Sequence, residues 1–188
     1  MIKIGITGSL SSGKSTVSKI ISKNKYPIYS ADKEVSKLYK EKKFILKLVR
    51  LFNLKDIKNI KQQIRFIIFQ NKKNLKKLEN LIHPLVRKNM KKFIKMNKKK
   101  KMLVFEIPLL TEGNLVKFFD FIIFVNSKKK IRLKRYMKKT KNKKLFYLLD
   151  RRQTNPRIKS QLCDYVINNN KNLKQLKLKI NYIIKNYV

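Results

Sequence analysis

The chain is 188 residues long and carries 50 Lys and Arg against 10 Asp and Glu, a formal charge of +40, with 43% apolar residues. That length suits one domain, or one domain with a small insertion, and supplies enough apolar side chains for a core. The single cysteine, Cys163, excludes an internal disulfide framework; no charged-then-apolar leader opens the sequence, and no uncharged apolar run approaches the ~18 residues of a membrane span.

A cytoplasmic protein is therefore expected, with Cys163 acting as a buried small hydrophobe. The positive charge is spread along every helical segment, mostly as Lys beside many Asn and Ile residues. A/T-rich codons are a sufficient cause of that mixture. A field of this sign also attracts polyanions such as nucleotides, in a salt-dependent way. The sequence holds no recognised nucleic-acid-binding motif, so neither a dedicated nucleic-acid partner nor a membrane partner is expected.

In chain order, residues 2–7 alternate apolar and small side chains like a short buried strand. Gly8-Ser9-Leu10-Ser11-Ser12-Gly13-Lys14-Ser15 then fits G-x-x-x-x-G-K-[ST] at every fixed position, and a helical pattern opens at Thr16. Strand, glycine-rich turn and helix are the context in which this motif cradles phosphates. Gly8 and Gly13 permit backbone conformations closed to other residues, so that N–H groups around Ser11 and Ser12 and the helix N-terminus can face phosphate oxygens. Lys14 brings a mobile cation to the β- and γ-phosphates. Ser15 places a hydroxyl on the Mg²⁺ that bridges them, and Thr16 caps the first turn or touches the α-phosphate.

Residues 26–30 read as a second strand, with Asp32 just past its carboxyl end, the side of an open parallel sheet where ligands bind. Asp32 is either a functional carboxylate or a helix N-cap. A helix is expected over 33–41, followed by apolar stripes at Ile60, Ile64, Ile67 and Ile68 and at Leu75, Leu78, Leu81 and Ile82. His83-Pro84 interrupts the helical pattern, which resumes to about Met96, and Lys98 to Lys101 mark a solvated helix end. Residues 102–107, stopped by Pro108, and residues 120–125 read as buried parallel strands. A basic helix over 128–138, a polar connection over 139–144 and a helix over 145–153 lead to a last strand at 164–167. The closing helix shows a stripe of Leu173, Leu176, Ile180, Ile183, Ile184 and Tyr187.

Strands alternating with helices predict a three-layer α/β sandwich with about five parallel strands, and an all-helical insertion over about 42–100 within one domain spanning 1–188. In a small P-loop kinase such an insertion is where the acceptor binds.

The chain resembles the dephospho-CoA kinase family of P-loop kinases over almost its whole length. The resemblance rests on Ile6-Thr7-Gly8 leading into Ser12 to Thr16, on Ser30-Ala31-Asp32, on Leu81-Ile82-His83-Pro84-Leu85, and on Glu106-Ile107-Pro108-Leu109-Leu110 with Glu112. It extends to Leu133-Lys134-Arg135, Gln153 and Asp164 to Asn169. It implies ATP-dependent phosphorylation of the ribose 3′-hydroxyl of dephospho-CoA, with Mg²⁺ as cofactor. Lys14, Asp32 and Arg135 become the catalytic residues, Asp32 as general base or hydroxyl-orienting group. The ATP site would comprise Gly8, Ser11, Ser12, Gly13, Lys14, Ser15, Thr16, Arg135, Asn168 and Asn169. His83, Pro108 and Leu109 join Asp32 at the acceptor, and Glu106 serves either the acceptor or, through water, the Mg²⁺. The lid falls over about 135–153, where Lys138, Lys139, Arg151 and Arg152 could also meet phosphates. Four departures stand out: Ser30 where the family usually has Asp, no Arg-Asp sequence in the lid, no Gly following Asn168-Asn169-Asn170, and Pro156 and Lys159 where Arg is frequent. Another small P-loop kinase, for a nucleoside monophosphate or a metabolite, shares the loop but leaves the His-Pro and Pro-Leu-Leu elements unexplained; a nucleic-acid-dependent NTPase is the alternative from a different class.

Overall fold

The computed structural model describes residues 1–111, 115–151 and 153–185, of which residues 31–96 form one compact unit and the remainder another. Glu112, Arg152 and Tyr187 lie outside the described residues.

The larger unit is built on five parallel strands, β1 (Ile2–Gly8), β2 (Ile28–Ser30), β3 (Met102–Glu106), β4 (Phe121–Asn126) and β5 (Tyr165–Asn168), in the order β2-β3-β1-β4-β5. The apolar runs of β3 and β4 are inaccessible to water along almost their whole length, as a parallel sheet covered by helices requires. Helices α1 (Lys14–Ser22) and α9 (Leu173–Lys185) cover one face, where Val17, Ile21, Leu176, Ile180 and Ile183 pack on Ile4, Ile6, Val104, Ile123 and Ile167. The alternate strand residues Leu103, Phe105, Ile122 and Phe124 are equally buried, with Phe105 against the rings of Tyr29 and Phe119. Leu173 is exposed, because the first residue of α9 precedes the turn that meets the sheet.

The smaller unit is all helical: α2 (Ala31–Leu38), α3 (Lys42–Phe52), α4 (Ile60–Gln70) and α5 (Lys72–Met96). Its core is Leu38, Phe44, Leu48, Ile60, Ile64, Ile68, Leu78 and Ile82, with Leu75, Leu81 and Val86 against it, so the apolar stripes face inward as their spacing demands, except that Ile67 is only half-buried at the edge of its stripe and lies outside this cluster. The expected break at His83-Pro84 is absent, since α5 runs through Pro84. A proline removes one N–H and crowds the preceding turn, and apolar packing on both sides, at Leu78, Ile82, Leu85 and Val86, holds the helix together across it. Helix α2 begins at Ala31 directly after β2 rather than at residue 33, which puts Asp32 inside its first turn.

After β4 come α6 (Lys129–Thr140), α7 (Lys143–Arg151) and the six-residue α8 (Pro156–Gln161). The sequence reading missed α8, although Asn155 accepts from the Arg157 N–H and Pro156 occupies the first turn, the pairing of cap and proline that starts helices. No helix among the described residues is long and apolar enough to cross a membrane.

Candidate active site

Strand β1 ends at Gly8, paired with Val125, and the loop to α1 turns there. Gly8 has φ +150°, and a Cβ on it would sit 2.2 Å from the Val125 carbonyl oxygen. Gly13 has φ +104°, and a Cβ there would sit 2.2 Å from Asn169 Nδ2. At these two places the loop closes on its neighbours so tightly that only glycine fits. Helix α1 starts at Lys14, two residues before the pattern suggested, so the positive end of its dipole abuts the loop.

Lys14 is 8% exposed and its ammonium donates to the carbonyls of Gly8 and Ser9, both at 3.1 Å, which curls the side chain back over the loop. Ser15 Oγ donates to Glu106 Oε1 at 2.6 Å. Glu106 ends β3 level with Ile6 of β1 and Ser30 of β2, and its carboxylate is buried there with a hydroxyl donor to satisfy it. One hydroxyl and one carboxylate are hard oxygen donors, a set that suits Mg²⁺ when phosphates and water complete the shell. No group of three or more His, Cys, Asp or Glu able to hold a metal occurs among the described residues.

Two side chains grip the loop at Ser12. Its carbonyl accepts from Asn169 Nδ2 at 2.8 Å and from Arg135 Nη1 at 3.1 Å. Arg135 also donates to Ser127 Oγ at 3.3 Å and to the Asn169 carbonyl at 3.1 Å. Burial lowers its pKa from the usual guanidinium value. Asn169 is buried, whereas Asn168 is exposed at the end of β5 and accepts from Asn126 Nδ2. The Pro108 carbonyl accepts from Thr7 Oγ1 at 3.1 Å and from the fully buried Lys159 at 3.2 Å, so the turn after β3 is fixed and Leu109 is half-buried beside it.

The structure thus gathers Gly8, Ser12, Gly13, Lys14, Ser15, Glu106, Arg135 and Asn169 around one loop. Ser11 lies in the same loop at φ +56°, and Thr16 is exposed on α1. Asp32 and His83 belong to the helical unit, Asp32 exposed in the first turn of α2 and His83 half-buried within α5. Lys138, Lys139 and Arg151 are exposed. Cys163 is half-buried and donates to the Lys159 carbonyl; burial, reinforced by the Asp164 charge, pushes its thiol up to about 11, which suits an inert side chain.

Sequence reasoning missed Arg132 and Asp150, which form an ion pair beside the loop, and gave no role to Gln153, which accepts from the Leu10 N–H at 2.8 Å. The available signal was Asp150, the one acidic residue between Lys128 and Gln153 in a Lys- and Arg-rich stretch.

A sequence model of the dephospho-CoA kinase family matches residues 2–175. The dephospho-CoA kinase of Fusobacterium nucleatum is 35% identical over 182 residues, covering 94% of this chain and 94% of that protein. Among solved structures, a dephospho-CoA kinase from Campylobacter jejuni matches with a TM-score of 0.70 at 25% identity, over 97% of this chain and 95% of that one. A crystal structure from Thermus thermophilus reaches a TM-score of 0.83 at 24% identity, over 100% and 98% of the two chains, a likeness of fold.

Proposed function

The chain belongs to the dephospho-CoA kinase family, and we infer from that premise that it transfers the γ-phosphoryl group of ATP to the ribose 3′-hydroxyl of dephospho-CoA, giving coenzyme A and ADP. The observation that carries this reading is a family match spanning residues 2–175 in a chain whose phosphate loop is complete, with Ser15 donating to Glu106.

The loop N–H groups and the N-terminus of α1 hold the triphosphate, and Lys14 follows the β- and γ-phosphates. Ser15 and, through water, Glu106 would hold Mg²⁺, which would supply charge neutralisation at the phosphates. We assign Glu106 to the metal rather than the acceptor because its carboxylate is already in contact with the Ser15 hydroxyl. Arg135 brings a fixed cation to the loop, where negative charge spreads during transfer. Asn169 and Asn168 line the approach of the base.

Asp32 accepts the proton of the 3′-hydroxyl, a poor nucleophile at neutral pH. The acceptor is assigned to His83 and to Pro108 and Leu109, with the helical unit of residues 31–96 as the acceptor-holding insertion and the region about 135–153 as the lid that excludes water. A cytoplasmic setting is the one this reading expects for ATP and its acceptor. The test is chromatography of reactions offering dephospho-CoA, AMP, CMP, UMP or no acceptor. Product with dephospho-CoA alone supports the reading, and product with a nucleoside monophosphate instead replaces it with the rival kinase.

A further inference from the structure

Both peptide planes that flank Leu10 are held by side chains from a distant part of the chain. The Leu10 N–H donates to Gln153 Oε1 at 2.8 Å, and the Leu10 carbonyl accepts from Arg132 Nη1 at 3.4 Å. Arg132 is itself tightly fixed. Its Nε donates to the Ser127 carbonyl at 3.0 Å, its Nη1 pairs with the Asp150 carboxylate, and its guanidinium lies 5.7 Å from the centre of the Phe146 ring. The side chains of Arg132 and Asp150 are 6% and 13% exposed, and Lys129 reaches the second carboxylate oxygen at 3.5 Å.

A buried ion pair loses much of its attraction to desolvation and contributes little net stability compared with apolar side chains of the same size. Stability alone therefore does not account for Arg132 and Asp150. What the pair does is aim a donor at one carbonyl. All peptide bonds among the described residues are trans, and in a trans peptide the N–H points opposite to the C=O. With the Leu10 carbonyl held toward Arg132, the Ser11 N–H faces the other way. The Ser12 carbonyl, held by Arg135 and Asn169, turns the Gly13 N–H in the same manner. Between them Ser11 keeps φ +56°, a left-handed value disfavoured for a residue with a Cβ, which persists only while its neighbours hold it.

We propose that Gln153 and the Arg132–Asp150 pair are positioning residues for the phosphate donor. They clasp the two peptide planes at Leu10 and so present the Ser11 N–H to the triphosphate, setting ATP affinity without touching the transferred group. This rests on the loop binding ATP, as in the function proposed above.

The experiment compares Gln153→Leu, Gln153→Glu and the double variant Arg132→Met with Asp150→Leu, which removes the ion pair without stranding a charge. Leaving the Leu10 N–H unsatisfied in Gln153→Leu raises the KM for ATP about tenfold. The KM for dephospho-CoA and kcat stay within about twofold, the split expected of a lost donor interaction. Gln153→Glu keeps an acceptor oxygen and restores the KM for ATP to within about threefold, and the double variant raises it as Gln153→Leu does. An unchanged KM for ATP in Gln153→Leu overturns the proposal, as does a parallel loss of both KM values, kcat and Tm that the Glu variant fails to rescue. The Kd of a fluorescent ATP analogue, measured without acceptor, reads the clasp independently. If the wild-type protein turns over another acceptor, the substrate assignment fails while the Kd series still decides the clasp.

Discussion

The two units bury different things. In the sheet-containing unit the inaccessible side chains include Thr7, Ser12, Lys14, Glu106, Arg132, Lys159 and Asn169; in the helical unit they are Leu38, Phe44, Leu48, Ile60, Ile64, Ile68, Leu78, Ile82 and Met90. No polar or charged side chain is buried in residues 31–96 among those described. Burying an unpaired polar group costs about 1–3 kcal/mol, and these groups have hydrogen-bond partners apart from the Ser12 hydroxyl, which has none among the described residues. Most of them lie around one loop. The contrast separates the unit that carries the phosphate loop from one whose buried side chains only have to pack.

The comparison breaks most sharply at Lys14. Lys14→Ala should reduce turnover by more than about 10³-fold, because it removes the cation assigned to the β- and γ-phosphates, while far-UV circular dichroism stays native. Asp32→Asn should lower kcat by about 10²–10⁴-fold and leave ATP binding nearly intact, checked by stopped-flow turnover and equilibrium titration; an unchanged kcat removes Asp32 from proton transfer. Glu106→Gln should raise the Mg²⁺ concentration for half-maximal rate by about ten- to a hundredfold, the size of effect seen when a group behind a metal is neutralised. Leu48→Ala sharpens the other side. It should cost about 2–5 kcal/mol of stability by denaturant titration, since Leu48 is 0% exposed in an all-apolar core, yet leave the KM for ATP unchanged well below the melting temperature.

The same contrast explains what the sequence made legible. The phosphate loop could be read because each fixed position answers to a local requirement: glycine where a Cβ would strike Val125 or Asn169, and Lys14 and Ser15 at the start of a helix. The five strands and the stripes of α4 and α5 were legible for a similar reason, since apolar period alone dictates which side chains face inward. Gln153 and Arg132 were not assigned roles, because their partner Leu10 lies more than a hundred residues away and its own side chain plays no part in either hydrogen bond, and Asp150 acts only through Arg132. The continuity of α5 through Pro84 was hidden too, because packing against Leu38, Phe44 and their neighbours overrides a local break that the dipeptide taken alone predicts. Asn155-Pro156 did carry a local signal for α8, in a segment whose apolar content is too low to show a period.

The most direct test is ³¹P nuclear magnetic resonance of purified protein with ATP, Mg²⁺ and dephospho-CoA. A dephospho-CoA kinase should convert the γ-phosphate of ATP, mole for mole, into one new phosphomonoester signal at the ribose 3′ position, with ADP as the only other product. Release of inorganic phosphate without a new ester, or no consumption of ATP until another acceptor is supplied, would contradict the assignment.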